Sequence, residues 1–155
     1  MKIIYKTGDM FKGPERALVH GCNAQGVMGS GVARIVIDHY TYAFNAYRAH
    51  YEKYGLKVGE IIVAEDTHKI IINAISQEFF GRDPNTVYVS YDGVRSALKE
   101  INRYAFNASI SEIAFPLIGA GLANGKWSII SKIIEDESVD FQPVVYLIDG
   151  KIPRE

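Results

Sequence analysis

The sequence predicts a single α/β domain in which a mixed, mostly parallel central sheet is covered by helices on both faces. Apolar β-prone runs alternate with segments of helical periodicity in the order β-β-α-β-β-α-β-α-β. Two of the strand-like runs, Ala17-Leu18-Val19 and Ile113 to Ile118, pass into glycine-rich loops that each precede a helix. The chain of 155 residues, 48% hydrophobic and 23% charged, is long enough to bury one core, spanning 1–155, without a metal or a disulfide.

Lys2 to Tyr5 is a short β-prone run closed by the turn Thr7-Gly8-Asp9, which places Asp9 and Met10 beside the end of the first strand. Gly13-Pro14 is a second break, and Ala17 to Val19 the next strand. The loop after it holds glycines at 26, 29 and 31 and enters a helix-like segment from Val32. Glycines reach φ > 0 at little cost, so consecutive backbone N–H groups can turn toward one anion. A helix start adds roughly 0.3–2 kcal/mol for a negative group at its first turn.

From Tyr40 to Tyr54 the positions Tyr40, Phe44, Tyr47, Tyr51 and Tyr54 fall on one helical face, and Gly55 stops the helix. A stacking platform for bases and plain packing on the sheet both fit that stripe; the absence of interleaved basic residues favours packing. Gly59 to Glu65 and Lys69 to Ile75 form two strands joined through Asp66-Thr67-His68, and Phe79 to Thr86 is a loop long enough to border a site. Ser90 to Phe106 is a sheet-covering helix. Ile113 to Ile118 is a strand of the buried kind that runs into Gly119-Ala120-Gly121. A helix from Lys126 to Asp136 and a last strand, Val144 to Ile148, complete the chain.

A net charge of −1 gives no broad basic field, so general nucleic-acid binding is disfavoured. Cys22 is the only cysteine, which excludes an internal disulfide and fits a reducing compartment. No signal peptide is evident and no apolar run approaches the roughly 18 residues of a membrane span, so a cytoplasmic protein with no membrane partner is expected. Two glycine loops side by side can hold two phosphates, which makes a diphosphate-containing nucleotide the leading ligand class. The P-loop pattern is absent, and the spacing Gly26-x-x-Gly29-x-Gly31 departs from G-x-G-x-x-G. A zinc site would need His20 and Cys22 with distant partners and no C-x-x-C pair, so neither a metal nor a cofactor is expected.

The stretch His20 to Ala33, with Gly8-Asp9-Met10-Phe11 before it and Pro116-Leu117-Ile118-Gly119-Ala120-Gly121-Leu122 after it, resembles the macro domain, whose members bind ADP-ribose and its derivatives. The resemblance runs from Ile3 to Ile148 and implies a three-layer α/β/α fold. It implies that Asp9 accepts a hydrogen bond from the adenine amino group with the Met10 backbone beside it, and that Asn23 contacts the distal ribose. Gly29, Ser30, Gly31 and Val32 match the first diphosphate loop; Ile118, Gly119, Ala120, Gly121 and Leu122 match the second. Gln25 lies on the loop near the distal ribose, where it could orient water.

The general N-A-A-N pattern is replaced here by His20-Gly21-Cys22-Asn23, which looks like the branch of yeast-type ADP-ribose 1″-phosphate phosphatases and terminal ADP-ribose glycohydrolases. In the phosphatases the histidine has a catalytic role, and an imidazole near the distal ribose could activate water or attack phosphorus. The alternative for His20 is simple replacement of the asparagine's hydrogen bonds. The glycohydrolases use a lysine and an aspartate; their neighbourhoods here read Ser76-Gln77-Glu78 and Ala123. The resemblance thus implies a hydrolase releasing phosphate from ADP-ribose 1″-phosphate, with His20 catalytic. Its rivals are a non-catalytic reader of ADP-ribose or ADP-ribosylated macromolecules, and a hydrolase that removes ADP-ribose from them.

Overall fold

The sequence Ile-Ile-Ile-Asn-Ala-Ile-Ser-Gln is buried at all but its last position, because its strand has a neighbour on each side and helices on both faces. In the computed structural model, which describes residues 1–29 and 31–155, this strand is the fourth of six: β1 (Ile4–Thr7), β2 (Ala17–Asn23), β3 (Ile61–Glu65), β4 (Ile70–Gln77), β5 (Glu112–Phe115) and β6 (Gln142–Leu147). The sheet order is β1-β6-β5-β2-β4-β3. Every pairing is parallel except that of β3 with β4, the hairpin expected through Asp66-Thr67-His68.

Four helices cover the sheet: α1 (Val32–His39), α2 (Thr41–Tyr54), α3 (Tyr91–Asn107) and α4 (Trp127–Glu137). Strand alternation sorts the core into two layers. Ala17, Val19, Ile70, Ile72, Ala74, Ile113 and Phe115 pack with α3 and α4, whereas Leu18, Cys22, Ile71, Ile75, Ala114 and Val144 pack with α1 and α2. The result is the α/β/α sandwich that the sequence predicts.

Most elements begin or end one or two residues from expectation, and at three places the difference is larger. The helical stretch from Val32 is divided at Tyr40, whose φ of −133° and ψ of 51° separate α1 from α2. Strand β2 continues to Asn23, since β4 offers it partners past Val19. Strand β5 stops at Phe115 rather than at Ile118, because Pro116 has no N–H to give the ladder and the chain turns, Ile118 N donating back to the Pro116 carbonyl at 2.7 Å.

The two layers contain few polar groups, and two sets of them are tied by side-chain hydrogen bonds. His20 and Asn73 are register partners across β2 and β4, and His20 Nε2 lies 2.6 Å from Asn73 Oδ1. The Asn73 amide nitrogen donates to the Ala43 carbonyl in α2 and the Ile62 carbonyl in β3, so its oxygen must face the imidazole and His20 must carry its proton on Nε2. Burial holds His20 neutral and lowers its pKa to about 4, against a smaller opposing contribution from Asn73. Near the other edge, fully buried Glu15 accepts from the Tyr146 hydroxyl at 2.7 Å and from Lys6 Nζ at 3.0 Å. Burial pushes the Glu15 carboxyl up, but these hydrogen bonds outweigh it and leave the pKa below its ordinary value.

Both groups make stability depend on pH, with the same sign over different windows. Below pH 6.5 the unfolded chain's His20 takes up a proton that the folded chain refuses until about pH 4, so stability falls across that interval as pH drops. Urea unfolding at several pH values should show this slope in the wild type and its loss in His20→Leu. Glu15 contributes stability above its unfolded value of 4.5 that is lost in more acid solution. Glu15→Gln is expected to cost about 1–3 kcal/mol at neutral pH, with a smaller deficit in acid; an unchanged melting temperature at pH 7 would reject the role given to Glu15.

Candidate functional site

Open parallel sheets bind ligands beyond the carboxyl ends of their strands, where loops diverge. Here a cavity of ≈ 690 Å³ opens at that edge, between the loops after β2, β4 and β5. Its volume lies within the roughly 300–1,000 Å³ of small-molecule sites.

The first wall is the loop after β2, and α2 holds it. The Tyr47 hydroxyl lies 2.7 Å from the Asn23 carbonyl oxygen and 3.0 Å from Asn23 Oδ1, while Arg48 Nη1 donates to the Gly26 carbonyl at 3.0 Å. Asn23 itself braces the loop, its Nδ2 donating to the Val27 carbonyl and its Oδ1 accepting from Gln25 N. The loop ends at Gly31, whose φ of 60° and ψ of −136° let it precede α1 without a side-chain cap. Arg34 N donates to the Gly31 carbonyl at 3.1 Å, whereas the N–H groups of Val32 and Ala33 have no such bond among the described residues, and Gly31, Val32 and Ala33 line the cavity.

The second wall is the loop after β5. Gly119 takes a φ of +75°, and a Cβ there would lie 2.8 Å from Val89 Cγ2, so only glycine fits both the turn and the packing. Gly125 N closes the loop on the Gly119 carbonyl at 2.7 Å. Asn124, at φ 61°, donates to the carbonyls of Asp83 and Thr86 and fastens this wall to the segment after β4. Ala24 N and Gln25 Nε2 fasten the first wall to the same segment through the Glu78 carbonyl.

Of the residues expected to bind, Asn23, Gly29, Gly31, Val32, Ile118, Gly119, Gly121 and Leu122 line this one cavity. Ser30 lies outside the described residues. The others are placed elsewhere. Ala120 does not line the cavity; its N–H turns inward to the Leu117 carbonyl. Gln25 does not line the cavity, its amide nitrogen donating to the Glu78 carbonyl and side chain. Asp9 is exposed at the end of β1, outside the cavity, with Oδ1 capping a 3-10 turn at Phe11 N, and Met10 is buried in the layer with α1 and α2.

The structure places His20, expected to be catalytic, behind the cavity and not in its wall. The ring is 1% exposed, is not among the lining residues and belongs to the α1 and α2 side of the sheet. Its Nε2 proton is committed to Asn73, so neither a base nor a nucleophile is presented to a ligand at that atom. The alternative reading of His20, as a hydrogen-bonding replacement, fits this geometry.

Sequence reasoning passed over Ser76, Gln77 and Arg82 as site residues, although all three line the cavity, as does Phe80 of the loop expected to border a site. The available signal was positional, since the strand before them is parallel to β2 and its carboxyl end must lie at the ligand edge. Cys22 and Arg82 are the titratable side chains among the described lining residues, and burial pushes the Cys22 thiol well up, away from nucleophilic use. Among the described residues no group of three or more His, Cys, Asp or Glu side chains is arranged to hold a metal ion.

Comparison with known proteins agrees with this construction. A family model described as the macro domain matches residues 19–134. Bovine "ADP-ribose glycohydrolase OARD1" is 26% identical over 150 residues, covering 95% of this chain and 92% of that protein. An "ADP-ribose 1″-phosphate phosphatase" of Neosartorya fischeri is 46% identical over 50 residues, 32% of this chain and 25% of that one. A solved structure of a protein of unknown function from Bacteroides thetaiotaomicron superposes with a TM-score of 0.83 at 27% identity, covering 94% of this chain and 98% of its own. The matched segment contains both glycine loops, the whole of β5 and β2 from Val19 onward, and the chain belongs to the macro domain family.

Proposed function

We propose that this chain binds ADP-ribose in the cavity and hydrolyses the phosphate of ADP-ribose 1″-phosphate. The observation that carries the reading is the pairing of two glycine loops across a single cavity, one of them ending at an uncapped helix start. The diphosphate lies between the loop of Gly29 and Gly31 and that of Gly119 and Gly121. Adenine extends along the sheet edge toward Asp9 at the end of β1, and the distal ribose extends the other way, toward the end of β4.

Phosphoryl transfer from a monoester suits a site of this composition. Its loose transition state asks mainly for positioning and for stabilisation of charge on the phosphoryl and leaving oxygens. The covalent removal of ADP-ribose from a carboxylate asks for a lysine, and no Lys, Asp, Glu or His is among the described lining residues. The partial match to a fungal phosphatase supports the same choice.

The scarcity of titratable groups at the cavity favours one other reading, a reader that holds ADP-ribose or ADP-ribosylated partners without turning them over. Phosphorus NMR of ADP-ribose 1″-phosphate with the purified protein separates the two. Growth of free phosphate at the expense of the terminal signal is expected; shifted diphosphate signals with no phosphate released over hours would leave the reader. Calorimetry with ADP-ribose tests the adenine end, where Asp9→Ala should weaken binding about tenfold, or about 1.4 kcal/mol. Equal affinities for Asp9→Ala and wild type would remove Asp9 from the site.

A further inference from the structure

The floor of the cavity carries a buried hydroxyl that the fold does not use. Ser76 is 1% exposed and lines the cavity, and its Oγ finds no hydrogen-bond partner among the described residues. Buried hydroxyls are nearly always bonded, so one without a protein partner beside a cavity is placed to bond what enters it.

Two features hold it there. Along β2 and β4, Cys22 pairs with Ile75 but Asn23 pairs with Gln77, so the ladder skips Ser76. Such bulges re-aim side chains next to sites. The Ser76 carbonyl accepts from Ser90 N at 2.8 Å, which fastens the bulge from behind. Across from it stands Gly21, where a Cβ would lie 2.7 Å from Ser76 Oγ and 3.2 Å from Ile118 Cγ1. A side chain on Gly21 would fill the space in front of the hydroxyl; its absence leaves that space to the ligand.

Resting on the ADP-ribose reading above, we infer that Ser76 recognises the distal sugar, its hydroxyl exchanging a hydrogen bond with a ribose hydroxyl that ADP lacks. The order of elements along the edge supports this assignment. With adenine toward β1 and the diphosphate between the loops of β5 and β2, the next strand outward is β4, which ends at Ser76 and Gln77. The amide nitrogen of neighbouring Gln77, which also lines the cavity, is already engaged, donating to the Phe79 carbonyl at 2.7 Å. A hydroxyl suits a sugar diol because it can donate and accept at one atom.

The test compares ADP-ribose with ADP by calorimetry, in wild type, Ser76→Ala and Gly21→Ala, alongside thermal unfolding without ligand. Wild type should prefer ADP-ribose. Ser76→Ala should lower ADP-ribose affinity about tenfold, leave ADP affinity unchanged and leave the unliganded melting temperature unchanged or raised. Gly21→Ala should show the same selective loss. A parallel loss for both ligands, no loss for either, or a lower melting temperature in Ser76→Ala would each overturn the sugar contact while leaving the ADP-ribose reading intact. Wild type that binds neither ligand would overturn that reading and this inference together.

Discussion

The side chain of Asn73 is the joint on which the ligand edge is assembled. It lies in the middle of β4, fully buried, and spends its amide on three elements: His20 of β2 through Oδ1, Ala43 of α2 and Ile62 of β3 through Nδ2. A buried amide without partners costs several kcal/mol, so a sheet register that broke these bonds would be strongly disfavoured. A slip of one residue would also exchange the two faces of the strand. The register that Asn73 enforces brings Gly21 and Ser76 together at the carboxyl end, and the helix it grips is the one whose Tyr47 and Arg48 brace the first glycine loop.

This explains why His20 reads so differently in one dimension and in three. A histidine just before a glycine-rich loop has the appearance of chemistry. Its partner is 53 positions away, inside a run of isoleucines that carries no functional sign. The clue in the sequence was Asn73 itself, a single amide in an otherwise apolar strand, which had to be satisfied by something equally buried. The glycine loops were legible because their signal is local: a strand, a glycine turn and a helix in succession. The hairpin of β3 and β4 and the sheet-covering α3 were legible for the same reason, each being set by periodicity and flanking turn residues.

What was hidden depends on pairing. The division of α1 from α2 occurs at Tyr40, with neither proline nor glycine to announce it. The bulge beside Ser76 is a mismatch between two strands and has no counterpart in either strand alone. The tyrosine stripe of α2 was legible as packing, which holds for fully buried Tyr47 but not for Tyr54, which is exposed; that the Tyr47 hydroxyl also reaches the Asn23 backbone required the loop to be folded over it. Pro116, by contrast, was a visible stop for β5 that apolar continuity obscured.

The segment from Glu78 to Thr86 has a further consequence. It receives Ala24 N and Gln25 Nε2 from one glycine loop and the Asn124 amide from the other, mostly at backbone carbonyls. The two walls are therefore laced to one strap, and neither can swing outward without pulling on it. Such a site behaves as a gauge of fixed bore rather than as a closing hand: much of the ordering is completed during folding, and a ligand loses little further freedom on the protein's side when it enters. Discrimination against bulkier adducts then resides in main-chain geometry, where exchange of surface side chains along the strap leaves the aperture as it was.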